Sequence, residues 1–198
     1  MKAIAVCTLA VAAALSTPVV AAAEDGPWMV RVRALYMDVR NGNSPDVDLE
    51  AENKLFPEFD ISYFLTKNIA AELVLTYPQK HDIELGGTDI GSIKHLPPTL
   101  LLQYHFNPEG QFRPYVGAGI NYTHFSSVDI DVPGVDIDRN SVGVALQIGA
   151  DYKLENGWFL NADIKYVDIN TKVTAGGNKL TDLKIDPMLY SIGIGYRF

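Results

Sequence analysis

Ile185-Asp186-Pro187-Met188-Leu189-Tyr190-Ser191-Ile192-Gly193-Ile194-Gly195-Tyr196-Arg197-Phe198 closes the chain. Counted back in twos, Phe198, Tyr196, Ile194, Ile192, Tyr190 and Met188 share one face of a strand. Leu189, Ser191, Gly193, Gly195 and Arg197 share the other, because successive strand side chains point to opposite faces. The first face is apolar throughout, with aromatics at both ends of an aliphatic middle. A soluble sheet also alternates, but aromatic girdles around an aliphatic band fit the lipid side of a transmembrane β-strand.

Seven earlier segments repeat the pattern: 28–39, 55–65, 69–78, 96–106, 113–125, 141–154 and 158–169. Connections 66–68, 107–112 and 155–157 are short, whereas 40–54, 79–94, 126–140 and 170–184 are long. Short periplasmic turns and long outer loops predict an all-β fold, an eight-stranded antiparallel up-and-down transmembrane β-barrel with both termini periplasmic. That topology sorts the outward aromatics into two belts. Tyr36, Tyr77, Tyr122, Tyr166 and Tyr190 fall at the outer end. Trp28, Tyr63, Tyr104, Phe106, Tyr152, Trp158, Tyr196 and Phe198 fall at the periplasmic end. Amphipathic rings belong at membrane–water interfaces, and a soluble sandwich has no cause to sort them so. Among the tyrosines only Tyr115 falls off both belts.

The N-terminus agrees with export. Met1-Lys2, an apolar run from Ala3 to Leu15, Pro18 and Ala21-Ala22-Ala23 describe a signal peptide over 1–23, cleaved after Ala23. The barrel domain is then 24–198, about 175 residues and one domain in size. Cys7, the single cysteine, leaves with the leader, so no disulfide holds the exported chain. The formal charge of −8 argues against nucleic acid as a partner and against a basic patch on anionic lipid.

An eight-stranded bore is filled by side chains, which excludes a wide aqueous pore. Inward positions divide by depth. Arg31, Arg33, Asp60, Glu72, Asp151, Asp163 and Arg197 lie toward the periplasm, where opposite charges in a restricted lumen are expected to pair into a plug. Leu35, Met37, Val74, Leu101, Val167 and Leu189 lie toward the outside, beside Gly143. An inward apolar pocket suits a hydrophobic ligand, although the same side chains could simply fill the bore. Blocked below, such a ligand must leave sideways. Pro78 on the third strand and Pro97-Pro98 on the fourth lack the N–H that ladder pairing needs, and these neighbouring strands could open there.

Three stretches carry a family resemblance across the whole chain: His95-Leu96-Pro97-Pro98-Thr99-Leu100, Phe112-Arg113-Pro114-Tyr115-Val116-Gly117-Ala118-Gly119-Ile120-Asn121-Tyr122, and the ending Tyr196-Arg197-Phe198 after Asp186-Pro187. The sequence resembles the OmpW family of outer-membrane barrels, with its OprG- and AlkL-like members. The resemblance implies a hydrophobic lumen, passage of small apolar molecules across the outer membrane, and lateral release near Pro97-Pro98. It sets Val74 where members carry an aliphatic lumen residue. Lys165 departs from the bulky aromatic of some relatives, which argues against a tight hydrophobic gate. It is expected to reach up to water or pair with a loop carboxylate. The third loop is shorter than in some relatives, which favours an open mouth.

The near-symmetrical 128–138, with Asp129, Asp131, Asp136 and Asp138 about Pro133-Gly134, reads as a hairpin extending two strands above the membrane. Its aspartates could hold a divalent ion against lipopolysaccharide, though a solvated loop explains them as well. His81, His95 and His124 near the outer rim have no metal-ligand spacing, so no metal or cofactor is expected. No nucleophile–base arrangement stands out, so no enzyme is expected. The expected partners are outer-membrane lipids and lipopolysaccharide, a small hydrophobic solute, and the barrel-assembly machinery through the strand ending in Phe198. Two other functions fit the same fold: a structural, adhesive or stress-related barrel with an inert lumen, and a narrow channel for small polar solutes or ions.

Overall fold

A computed structural model describes residues 26–41, 54–76, 79–85, 88–130, 135–175 and 178–198. The expected leader, residues 1–23, lies outside them. The strands are β1 (Trp28–Asn41), β2 (Lys54–Phe64), β3 (Ile69–Thr76), β4 (Gln79–Leu85), β5 (Thr88–Leu96) and β6 (Thr99–His105). They continue as β7 (Phe112–Ile130), β8 (Val135–Ile137), β9 (Asn140–Lys153), β10 (Trp158–Val167), β11 (Ile169–Ala175) and β12 (Asn178–Arg197). Eight of them form the barrel wall in the order β1-β2-β3-β6-β7-β9-β10-β12, and β12 pairs back to β1. The seam runs antiparallel from Met29 opposite Arg197 to Asn41 opposite Ile185. Trp28 N donates to Phe198 O at 3.1 Å and Phe198 N returns to Trp28 O at 2.9 Å, so the terminal residue locks the closure.

Closure abolishes free sheet edges, which is what lets strands cross hydrocarbon. Alternation then inverts the usual core. Along β6, Thr99, Leu101, Gln103 and His105 are buried while Leu100, Leu102 and Tyr104 face out. Ile192 and Ile148 are 68% and 60% exposed, whereas Arg31 and Glu58 are 1% and 0% exposed. Such a surface is stable in lipid and not in water. The belts form as expected among the described residues: Trp28 meets Tyr63 with ring centroids 4.7 Å apart, and Trp158 meets Tyr196 at 5.1 Å. Tyr36, Tyr122 and Tyr190 stand exposed on the outer side. Tyr115 leaves the belts because it points inward, 1% exposed.

The periplasmic turns use local chemistry. Asn156 and Gly157 both take positive φ (56° and 80°), the conformation that makes Asn-Gly a tight hairpin turn. Thr66 Oγ1 accepts from the N–H groups of Asn68 and Ile69. Lys67 and Glu109 pair between two turns; their hydrogen bond raises the lysine pKa and lowers that of the glutamate. Both are exposed, so the pair adds little stability.

The outer connections differ from expectation. Much of 79–94, 126–140 and 170–184 continues as strand: β4 pairs β5, β7 runs on to Ile130, and β11 pairs the first half of β12. Among the described residues, the two halves of 128–138 do not pair with each other as a hairpin. Val128–Ile130 pairs with Ile93–Gly91 of β5, while Val135–Ile137 pairs with Ala175–Val173 of β11. Each half follows its wall neighbour upward instead of its sequence twin.

Gly143 marks a close approach. An added Cβ would stand 1.6 Å from the Asp168 carbonyl oxygen, where the chain turns between β10 and β11. Gly143→Ala is expected to push β9 and β10 apart and cost about 1–3 kcal/mol, the usual penalty for overpacking. Urea unfolding in lipid would measure this, and an unchanged midpoint would show that the wall yields there freely.

Candidate functional site

The lumen is built in three tiers. The middle tier is ionic. Arg31 on β1 forks onto Asp151 of β9, with Nη2 to Oδ2 at 2.8 Å and Nε to Oδ1 at 3.2 Å. Its Nη1 reaches Asp60 Oδ1 at 3.0 Å and Ser62 Oγ at 2.9 Å. Arg33, two residues further up, lies 2.7 Å from Asp60 Oδ2 and 3.3 Å from Glu72 Oε1, and pairs with Asp163. Its Nε lies 2.8 Å from Glu58 Oε1, a close ionic contact not aligned as a hydrogen bond. Register explains the convergence. Arg31 faces Asp60 and Arg33 faces Glu58 across the β1–β2 ladder, while Asp151 and Asp163 come from the far wall.

Of the expected plug, Arg31, Arg33, Asp60, Glu72, Asp151 and Asp163 meet in this tier. Arg197 does not contribute in the same way. It lies lower, donating Nε to Gly26 O at 2.7 Å with its guanidinium 3.5 Å from the Phe64 ring centroid. Two members were absent from the expected plug. Glu58 is fully buried and accepts from Lys165 Nζ at 2.8 Å. Lys165 also donates to Asp163 Oδ1 at 3.0 Å. It therefore turns down into the wall cluster instead of up to water or a loop carboxylate. A buried ammonium needs carboxylates, and the nearest are Glu58 and the residue two before it on its own strand.

Below the ions lies a seal that charge patterning alone did not reveal. Met29, Phe64, Ala70 and Phe159 form a buried apolar cluster, with Arg113 5.1 Å above the Phe159 ring centroid. Tyr115 joins the tiers: Asn161 Nδ2 donates to its hydroxyl at 3.0 Å, and the His105 ring packs against it, tilted, with centroids 5.0 Å apart. A path straight down the bore thus meets a charged layer and then an apolar one.

Above the ions the expected pocket forms. Leu35, Val74, Val167 and Leu189 line it with Met37 and Pro97, over a floor of Glu58 and Lys165. Leu101 is 1% exposed but lies outside this lining, opposite Glu72 on β3. The enclosed volume is about 40 Å³, room for a few waters and well short of a typical ligand cavity of roughly 300–1,000 Å³.

Beside the pocket the wall is interrupted. The β3–β6 ladder ends at Val74 opposite Thr99 and resumes at Gln79 opposite His95, one residue out of register. Pro97-Pro98 lies in that interval; Pro78 lies outside the described residues. On its other side the same strand stays attached: Tyr122 N donates to Pro98 O at 3.0 Å. Asn121 Nδ2 reaches the Pro97 and Pro98 carbonyls at 3.3 Å each and Thr99 Oγ1 at 2.8 Å. Sequence reasoning missed this clamp, although Asn121 is inward-phased and lies two strand pairs from the prolines.

Of the four aspartates of 128–138, Asp138 is exposed, Asp131 lies outside the described residues, and the side chains of Asp129 and Asp136, like those of His81 and His95, are not described. His124 Nδ1 lies 2.8 Å from Asn140 Oδ1. Among the described residues no group of three His, Cys, Asp or Glu could hold a metal ion.

Known proteins resemble this chain in sequence and fold. The sequence model of the OmpW family matches residues 26–198. An uncharacterized outer-membrane protein of Sinorhizobium fredii, y4mB, is 43% identical over 96% of this chain and 90% of its own length. The dibenzothiophene metabolism operon protein PahQ of Pseudomonas aeruginosa is 28% identical over 89% of this chain and 90% of its own. The solution structure of the E. coli outer membrane protein W aligns with a TM-score of 0.71 at 30% identity, covering 89% of this chain and 100% of that one.

Proposed function

The chain belongs to the OmpW family and lies in the outer membrane, and from that premise we propose that it is a passive channel for small hydrophobic molecules. They enter from outside into the apolar upper lumen and leave sideways between β3 and β6 into the bilayer. The observation that carries this reading is the coincidence of pocket and wall break. Pro97 both lines the pocket and occupies the interval where the β3–β6 ladder stops. The ionic tier and the apolar seal beneath it support the sideways exit, since an apolar solute gains nothing by entering a buried charge layer. PahQ, named for the metabolism of an apolar aromatic compound, is a relative consistent with such a cargo.

The cavity is small, so a solute must part the aliphatic side chains as it passes. That smallness also favours a second reading, an inert barrel whose outer surface does the work. Val167→Trp separates the two. The indole overfills the pocket while every charged side chain of the ionic tier is kept. Uptake of a small apolar compound by cells carrying it is expected to fall to the level of barrel-free cells, at equal surface amounts. Native uptake no greater than barrel-free uptake across a panel of apolar compounds would favour the inert barrel.

A further inference from the structure

The pocket is apolar on most sides but has one polar corner. Glu58 and Thr76 are directly opposed on β2 and β3, and both line the pocket. Facing residues of an antiparallel pair hold their Cβ atoms about 4.5–5.5 Å apart on one side of the sheet. All the contacts that hold Glu58 go to Oε1: Lys165 Nζ at 2.8 Å, Arg33 Nε at 2.8 Å and Ser191 Oγ at 3.4 Å. Its other oxygen, Oε2, is buried without a partner, and so is Thr76 Oγ1. The side chain of Glu58 is 0% exposed. A buried carboxylate oxygen and a buried hydroxyl, each unsatisfied and side by side, are costly unless something completes them.

The geometry points to a hydroxyl subsite in the upper lumen, made by Glu58 Oε2 and Thr76 Oγ1, that selects apolar molecules carrying an alcohol group. This rests on the channel reading above and names its substrate class. The matching is chemical. An ionised carboxylate oxygen only accepts, whereas a threonine hydroxyl donates and accepts. An alcohol donates its O–H to Glu58 Oε2 and accepts from Thr76 Oγ1, satisfying both at once, while its alkyl tail lies against Leu35, Val74 and Val167. A hydrocarbon of the same length leaves both atoms unpaired. A carboxylate brings a second negative charge against Glu58. Both polar atoms are covered in the closed pocket, so the hydroxyl reaches them only as the aliphatic side chains part, at the step where selectivity acts.

The test compares initial uptake of radiolabelled octane, 1-octanol and octanoate by cells displaying the full barrel, after subtraction of barrel-free cells. Native, Thr76→Val and Thr76→Ser barrels are brought to equal surface levels and checked for the heat-modifiable mobility of a folded barrel. Barrel-dependent uptake of octanol is expected to exceed that of octane by about 3- to 10-fold, the net worth of one or so hydrogen bonds, with octanoate at baseline. In Thr76→Val the octanol-to-octane ratio drops toward one; in Thr76→Ser, which keeps the hydroxyl, it returns. A native ratio of one, or a ratio unmoved by Thr76→Val, overturns the hydroxyl subsite and leaves the channel standing. Barrel-dependent uptake of none of the three compounds overturns both.

Discussion

Arg33→Met is expected to lower the unfolding free energy of the barrel by about 3–5 kcal/mol, the loss typical when one partner of a buried ion cluster is removed. Arg33 is fully buried among Glu58, Asp60, Glu72 and Asp163, and it also donates to Asn161 Oδ1 at 3.2 Å. Methionine fills similar space but leaves those carboxylates facing one another around a low-dielectric bore. Arg31 is already committed to Asp151 and Asp60, and Lys165 to Glu58 and Asp163. Neither can move over without abandoning its own partners. Arg33→Lys keeps the charge as a single point and cannot span the same set of oxygens, so an intermediate loss is expected. Lys67→Ala, which removes the exposed Lys67–Glu109 pair, is expected to cost no more than about 1 kcal/mol. The measurement is urea unfolding in lipid followed by fluorescence of Trp28 and Trp158. A loss below that of Lys67→Ala would show that the ionic tier adds nothing to stability.

The contrast between Arg33 and Lys165 shows how far the sequence speaks. Alternation assigns a side chain to the lumen or to lipid from local order alone, so Arg33, Val74 and even the outlying Tyr115 were legible as inward. It says nothing about which inward residues meet. Arg31 and Asp151 are 120 positions apart, and their contact is set by register and stagger around the closed wall. Glu58 could be read as inward but not as the partner of Lys165, because β2 and β10 approach only through the bore. The same limit hid the Met29–Phe64–Phe159 seal, whose members come from three strand ends. It also hid the fate of 128–138. Its symmetry favours a hairpin, yet 128–130 pairs with β5 and 135–137 with β11. The Asn121 clamp lay within reach of the sequence, since a polar inward residue near two prolines is a candidate donor to the carbonyls that an interrupted ladder leaves open.

Pro97→Ala combined with Pro98→Ala is expected to slow uptake of an apolar compound by about 2- to 10-fold while making the barrel harder to unfold. Successive strand N–H groups point to opposite neighbours, so two adjacent prolines remove one donor on each side. Toward β7 the strand is held by the Tyr122–Pro98 bond and by Asn121. Toward β3 the ladder is simply absent between Val74–Thr99 and Gln79–His95. Alanine restores an N–H at both positions. Only one of them faces β3, and that regained bond, at about 0.5–1.5 kcal/mol, makes separation of β3 from β6 rarer by about 2- to 10-fold. In hydrocarbon, where an unpaired backbone group costs more, the effect is larger. The two readouts must move oppositely, which guards against a trivial cause: a variant that transports less because it is misfolded would also unfold more easily. Equal uptake by native and double-variant barrels would leave the channel in place and move its exit elsewhere. Slower uptake by a more stable barrel would mean that the wall is kept weak at this point because solutes leave through it.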